Sequence, residues 1–258
     1  MRCAPLAALA LVLTACPAPA PPPRIPEGAT VLYDVDFSAP EQTAGAEVQT
    51  QPEGSSPTFP SKLPSQIFFG HPMVVPALCG LAKQPAQLKV STGTDGQEGL
   101  AFLLDPRYGK YHVELDLCVQ QLGPPPLAAQ ALQVVVFLDF PQAYGLGFAS
   151  GGTIAVIDPN LAADALATPQ PIARFQQGTP MHVAFDLDLE KQTWHISIDG
   201  KTAYDGPLEA SVPRSVRVLI RGDFASTAAF DNLLIWAQHE LTPAEDVPPP
   251  APVTGSEK

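Results

Sequence analysis

The 258-residue chain is poor in positive charge and in aromatic rings. Fourteen Lys and Arg stand against 26 Asp and Glu, a formal net charge of −12. Binding to nucleic acid gains its free energy from cations that release counterions, so general DNA or RNA binding is excluded. Polybasic attachment to anionic lipid is excluded for the same reason. Aromatic residues make up 7% of the chain, with only two tryptophans, which leaves few rings for stacking on a ligand. The one apolar run that concerns membranes, Ala4 to Leu13, is too short to span a bilayer. A glycine-rich phosphate loop, a paired Cys-x-x-Cys and a Gly-x-Ser-x-Gly elbow are all missing. Proline, by contrast, is abundant, with 31 residues that are densest near the two ends.

Met1-Arg2 carries one positive charge ahead of the apolar run, which is the pattern of an export signal. Leu13-Thr14-Ala15-Cys16 follows and resembles the lipobox of bacterial lipoproteins. That resemblance implies that residues 1–15 are removed as a signal peptide and that Cys16 becomes a lipidated first residue. Two or more acyl chains make a stable membrane anchor without a spanning helix. The expected location is the cell envelope, with lipid as the tie to the membrane. Pro17 stands where an inner-membrane retention signal would place Asp, and by the same analogy this directs the protein to the outer membrane, on its periplasmic or surface face.

Residues 16–28 then form a proline-rich tether, with Pro17, Pro19, Pro21, Pro22, Pro23 and Pro26. In an extended polyproline conformation it reaches about 35 Å. Residues 239–258, with Pro243, Pro248, Pro249, Pro250 and Pro252, have little to bury and are expected to be disordered. Residues 29–238 are expected to be one domain, and its apolar period is two. Tyr111, Val113, Leu115, Leu117 and Val119 alternate with His112, Glu114, Asp116, Cys118 and Gln120. Val183 to Leu189 and Trp194 to Ile198 alternate in the same way, and about a dozen such strands are separated by turn residues. Only Leu161–Ala167 has a briefly helical pattern. The expected fold class is all-β, a sandwich or barrel.

The hairpin His182–Asp199 fixes its own register. A turn at Glu190-Lys191 sets Val183 against Ile198, Phe185 against Ile196 and Leu187 against Trp194, with His182 facing Asp199 and Asp186 facing His195 on the polar side. An odd-length loop would oppose apolar to polar residues throughout. Asp199-Gly200 then turns the chain back towards Tyr204.

Taken with the strand Tyr111–Gln120 and the last strand, Phe230-Asp231-Asn232-Leu233-Leu234-Ile235-Trp236, this hairpin resembles the concanavalin A-like lectin/glucanase superfamily. The resemblance implies a two-sheet antiparallel jelly roll over residues 29–238, with the last strand paired to the first, Val31–Phe37. Tandem immunoglobulin-like domains are the alternative architecture. Glucan hydrolases of the superfamily carry Glu-x-Asp-x-Glu or Glu-x-Asp-x-x-Glu. Glu114 and Asp116 match its first two positions, but Cys118 or Val119 stands where the second Glu belongs, and neither side chain protonates a leaving group as a tuned carboxyl does. The expectation is a non-enzyme.

Cys79 and Cys118 are the cysteines left in the mature chain besides Cys16, and an exported pair is expected to form a disulfide. The facing His–Asp pairs are read mainly as cross-strand stabilisation. Asp34-x-Asp36 and Asp186-x-Asp188 offer oxygens of the kind calcium takes, without a continuous calcium loop, so no cofactor is expected and calcium is the one candidate. Arg221-Gly222-Asp223 reads as a turn. Parity sends Trp194 inward and puts Trp236 on the face of Phe230 and Leu234, so the rings left for a ligand are Tyr108, Tyr144 and Phe148, with Asp186 and His195 as polar partners. The leading function is a carbohydrate-binding module taking polysaccharide. The alternatives are a scaffold for another envelope protein and, third, a glycoside hydrolase relative.

Overall fold

The computed structural model describes residues 25–37, 66–69, 73–81, 85–90, 97–123, 132–139, 142–161, 170–209, 213–221 and 225–241. The expected signal peptide, Cys16, most of the expected tether, residues 162–167, Gly222-Asp223 and the residues beyond Leu241 lie outside them. Among the described residues every regular element is a strand, and the strands form two antiparallel sheets.

The first sheet has eight strands. In spatial order seven of them are β13 (Lys201–Pro207), β12 (Thr193–Ile198), β11 (Pro180–Asp188), β6 (Tyr108–Gln121), β15 (Ser226–Glu240), β4 (Ala86–Val90) and β3 (Met73–Val74). The eighth, β1 (Thr30–Val35), pairs with the second half of β15 along the edge that β4 uses in the first half. The second sheet has the order β10 (Gln170–Arg174), β9 (Thr153–Ile157), β8 (Ala143–Ala149), β7 (Val134–Asp139), β14 (Ser215–Arg221), β5 (Gln97–Leu103) and β2 (Gln66–Phe69). The expected pairing of first strand with last is present, and the architecture is an all-β antiparallel sandwich.

Period-two alternation builds the core. Tyr111, Val113, Leu115, Leu117 and Val119 of β6, together with Val183, Phe185 and Leu187 of β11, meet Val216, Val218 and Ile220 of β14 and Leu100 and Phe102 of β5 in one buried cluster. At roughly 1.5–3 kcal/mol for each fully buried large apolar side chain, this cluster is the main source of stability. The β11–β12 ladder has the register read from the sequence: Val183 faces Ile198, Phe185 faces Ile196 and Leu187 faces Trp194. Asp199 (φ 50°) and Gly200 (φ 71°) form the next turn, the positive-φ pair that a tight hairpin needs.

Three expectations are corrected. Tyr108, Tyr144 and Phe148 do not offer rings to a ligand; they are 6%, 1% and 0% exposed and belong to the core. Tyr144 and Phe148 alternate with Gly145 and Gly147 on β8, so all the ring volume of that strand goes inward. Tyr108 lies edge-on to Tyr111. The second correction concerns the C-terminal boundary. The last strand runs on to Glu240, and the Leu241 N–H donates to the Arg107 carbonyl at 2.6 Å. The third is Trp236, whose placement follows from a bulge.

Asp231 pairs with Asp116 and Leu234 with Glu114, so Asn232 and Leu233 together oppose the single residue Leu115. Asn232 takes up the extra residue at φ 50°, a conformation Asn tolerates better than most residues. One added residue inverts the parity of everything after it. Phe230 therefore points into the core, as do Leu233, Ile235 and Ala237, while Leu234, Trp236 and Gln238 turn to the opposite face.

Candidate functional site

The face of the eight-stranded sheet turned away from the core carries nearly all the ionisable side chains of its central strands. Cross-strand pairing arranges them in rows. One row runs Asp205 (β13), His195 (β12), Asp186 (β11), His112 (β6), Trp236 (β15) and Val31 (β1). The next row towards one end of the sheet contains Thr193, Asp188, Lys110 and Gln238. On the other side of the first row come Ala184, Glu114 and Leu234, then His182, Asp116 and Asp231.

A hydrogen-bonded chain links these rows. His112 Nδ1 donates to Asp186 Oδ1 at 2.6 Å and Nε2 to Glu114 Oε2 at 3.1 Å. His182 Nδ1 donates to Asp116 Oδ1 at 2.9 Å, while its Nε2 is 3.5 Å from the same Glu114 oxygen. Asn232 Nδ2 completes the chain by donating to Asp116 Oδ2 at 2.7 Å. The bulge residue is thus tied to the network by its own side chain.

Charge follows from these contacts. Burial opposes protonation of His112, but the bonds to Asp186 and Glu114 outweigh it and lift the imidazole to about 9. Asp116, then Glu114, lift His182 to about 9 as well, against a smaller effect of burial. Burial would raise the Glu114 and Asp116 carboxyls, yet their imidazolium partners hold both below the ordinary range. Near neutral pH the centre of the sheet is therefore a lattice of two imidazolium ions and their carboxylates.

Beside it lies a groove of about 200 Å³. Trp236, Asp186, His195 and Asp205 line one bank, and Gln238, Lys110, Asp188 and Thr193 the other. His112 stacks on the Trp236 indole with centroids 4.8 Å apart and planes 12° apart. This contact between a cation and a tryptophan face is favourable, and it fixes the ring at the groove. The indole Nε1–H is shut off from solvent and has no acceptor among the described residues.

Of the side chains singled out in the sequence, Asp186 and His195 both line this groove and are cross-strand neighbours. Their side chains choose other partners, however: Asp186 bonds His112, and His195 Nδ1 bonds Asp205 Oδ1 at 2.6 Å. Likewise the His182 ring turns to β6, and Asp199 accepts instead from the His182 backbone N–H at 2.9 Å. Cys79 and Cys118 are joined in the expected disulfide, Cα atoms 6.3 Å apart. The bridge lies on this outer face, packed with Leu81 and Ala229. The third position of the glucanase-like run is thus a half-cystine.

Asp188 accepts from the Lys191 N–H and is ion-paired with Lys110 and Lys191. Among the described residues no three His, Cys, Asp or Glu side chains are placed to hold a metal ion.

Sequence reasoning missed Trp236, Lys110, Asp188 and Asp205 as groove residues, and His112 as the ring that stacks on Trp236. A signal for the first was present. Strict alternation from Phe230 would send Asn232 into the core, and a polar residue with a taste for positive φ at such a position marks a bulge.

No protein-family description matches the chain, and no curated protein does. Solved structures similar to it include a sialidase (10% identity, TM-score 0.48), over 67% of this chain and 17% of that one. Peanut lectin with a nine-residue peptide matches at 10% identity and TM-score 0.47, over 71% of this chain and 95% of the lectin. The fourth domain of an extracellular GH43 arabinanase from Geobacillus stearothermophilus, in complex with arabinotriose, matches at 15% identity and TM-score 0.42, over 84% and 96%.

Proposed function

We propose that this chain is a lipid-anchored cell-envelope protein whose sandwich binds carbohydrate, without cleaving it, in the groove on the outer face of the eight-stranded sheet. The observation that carries the reading is the placement of Trp236. A sugar site needs an aromatic surface among convergent hydrogen-bonding groups, and the Asn232 bulge puts the one tryptophan of that face beside Lys110, Asp186, Asp188, His195 and Asp205.

Retaining hydrolysis needs one ionised carboxyl and one held protonated by a raised pKa. Glu114 and Asp116 are both shifted the other way, and the next outward position, Cys118, is closed in a disulfide. Those facts support a binding role. The lipobox-like Leu13-Thr14-Ala15-Cys16 supports anchoring, and Pro17 supports the outer membrane.

The test is binding of the purified full chain to a panel of cell-wall and extracellular polysaccharides, beside Trp236→Ala. Saturable binding to a glycan, lost in the variant and without release of reducing ends, is the expected result. Failure of the chain to bind across a broad panel, or cleavage of the bound glycan, would overturn the reading. Anchoring is read separately, by incorporation of labelled palmitate into the wild type and its loss in Cys16→Ala.

A further inference from the structure

Resting on that reading, we infer that the groove takes a neutral oligosaccharide chain lying across the strands, and discriminates against sugars that carry carboxylates.

The first argument is shape. The lining comes from five adjacent strands, β13 through β15 by way of β12, β11 and β6. At the usual strand spacing this is about 19 Å from end to end. A trough of that length, one row of side chains wide, fits several linked rings better than a single one.

The second is charge. Every carboxylate of the groove already has a cation or imidazole against it. Asp186 is 2.6 Å from His112 and Asp205 is 2.6 Å from His195. Asp188 lies 3.4 Å from Lys110 and 3.2 Å from Lys191. Among the described residues the lining contains no arginine, and its one lysine is the one committed to Asp188. A uronate or sialate would lose hydration with no uncommitted cation to receive it, and it would face the exposed oxygens of Asp186 and Asp205. Hydroxyl groups donate and accept at once. They match a strip where carboxylate oxygens alternate with N–H groups, while Trp236 covers the apolar face of a ring.

The experiment is calorimetric titration of the full chain with cello-, laminari-, xylo- and arabino-oligosaccharides of increasing length, and with oligogalacturonides and sialyllactose as anionic probes. At least one neutral series is expected to bind, its affinity rising at least tenfold from disaccharide to tetrasaccharide, with every anionic probe at least tenfold weaker. Trp236→Phe, which keeps an apolar ring, and Asp205→Asn, at an exposed side chain, are expected to weaken neutral binding by threefold or more while remaining folded. Anionic probes that bind as tightly as neutral ones, or affinity that does not change with length, would overturn this inference and leave carbohydrate binding standing. Absence of binding by every probe would overturn both.

Discussion

Glu114 is the residue on which the outer-face network turns, and replacing it by Gln tests the electrostatic account. Its side chain is 7% exposed and lies between His112 at 3.1 Å and His182 at 3.5 Å. Removing one partner of a buried ion pair costs about 3–5 kcal/mol. Here each imidazolium retains a second carboxylate, Asp186 or Asp116, so Glu114→Gln is expected to cost about 2–3 kcal/mol near pH 6. The pH dependence follows from linkage. Both imidazoles are raised from 6.5 to about 9, so their stabilisation is complete below the unfolded value and is lost as pH climbs through the folded one. Glu114 and Asp116, held low, contribute above the ordinary carboxylate range and lose that contribution as pH falls. Stability should therefore peak between about pH 5 and 6.5. For His112 the shift corresponds to about 3 kcal/mol; His182, 29% exposed, adds less because solvent screens it. Urea unfolding followed by circular dichroism at about pH 6 and about pH 9.5 should show a wild-type loss on the order of 3 kcal/mol, and a clearly smaller loss in Glu114→Gln. A flat wild-type profile, or equal pH slopes in the two proteins, would refute the imidazolium assignment.

Other consequences are simpler to read. Asn232→Ala loses the bond to Asp116 and places a Cβ-bearing residue at φ 50°, so it should be less stable than Asn232→Gly by about 1 kcal/mol in urea melts. Reducing the Cys79–Cys118 bridge, which closes a separation of 39 residues, should lower unfolding free energy by about 4 kcal/mol in the chain-entropy account; an unchanged midpoint after full reduction contradicts it. Asp158 is 1% exposed and accepts from Tyr204 Oη at 2.6 Å and Trp194 Nε1 at 3.3 Å. Asp158→Ala removes the acceptor of these two donors and of the Asn160 N–H, 2.8 Å from Oδ1, and should cost at least about 2 kcal/mol, whereas a loss within error would show that these bonds carry no net stability.

The sandwich was legible because each central strand keeps one face apolar. Val183, Phe185 and Leu187 cannot be shifted by one residue without exposing all three, so the β11–β12 register was determined before any coordinates. The second sheet was harder to read. Gln133-Val134-Val135-Val136-Phe137 does not alternate, because Val135 joins Leu132, Ala149, Ala155, Ile157 and Leu219 in a buried cluster on the far side of that sheet. Strands buried on both faces lose the period-two pattern.

The site was less legible than the fold. Asp186 and His195 were recognisable by strand parity alone, but parity fails beyond a bulge, and Trp236 lies four residues past Asn232. Side-chain choice was also hidden. Asp186 has an imidazole on each neighbouring strand and bonds His112 on β6, not His195 on β12. Register says which residues are opposed; it does not say which way a ring leans.

The most direct test of the central claim uses the two tryptophans. Trp194 borders the groove floor but is only 2% exposed, its ring held in the core by Asp158, while the half-buried Trp236 ring lies on the outer face against His112. Titrating a neutral oligosaccharide found to bind, while following intrinsic fluorescence, should change the emission of the wild type and leave that of Trp236→Phe unaltered, with the variant still cooperatively folded. A fluorescence change and an affinity retained in full by Trp236→Phe would place the sugar elsewhere and contradict the account.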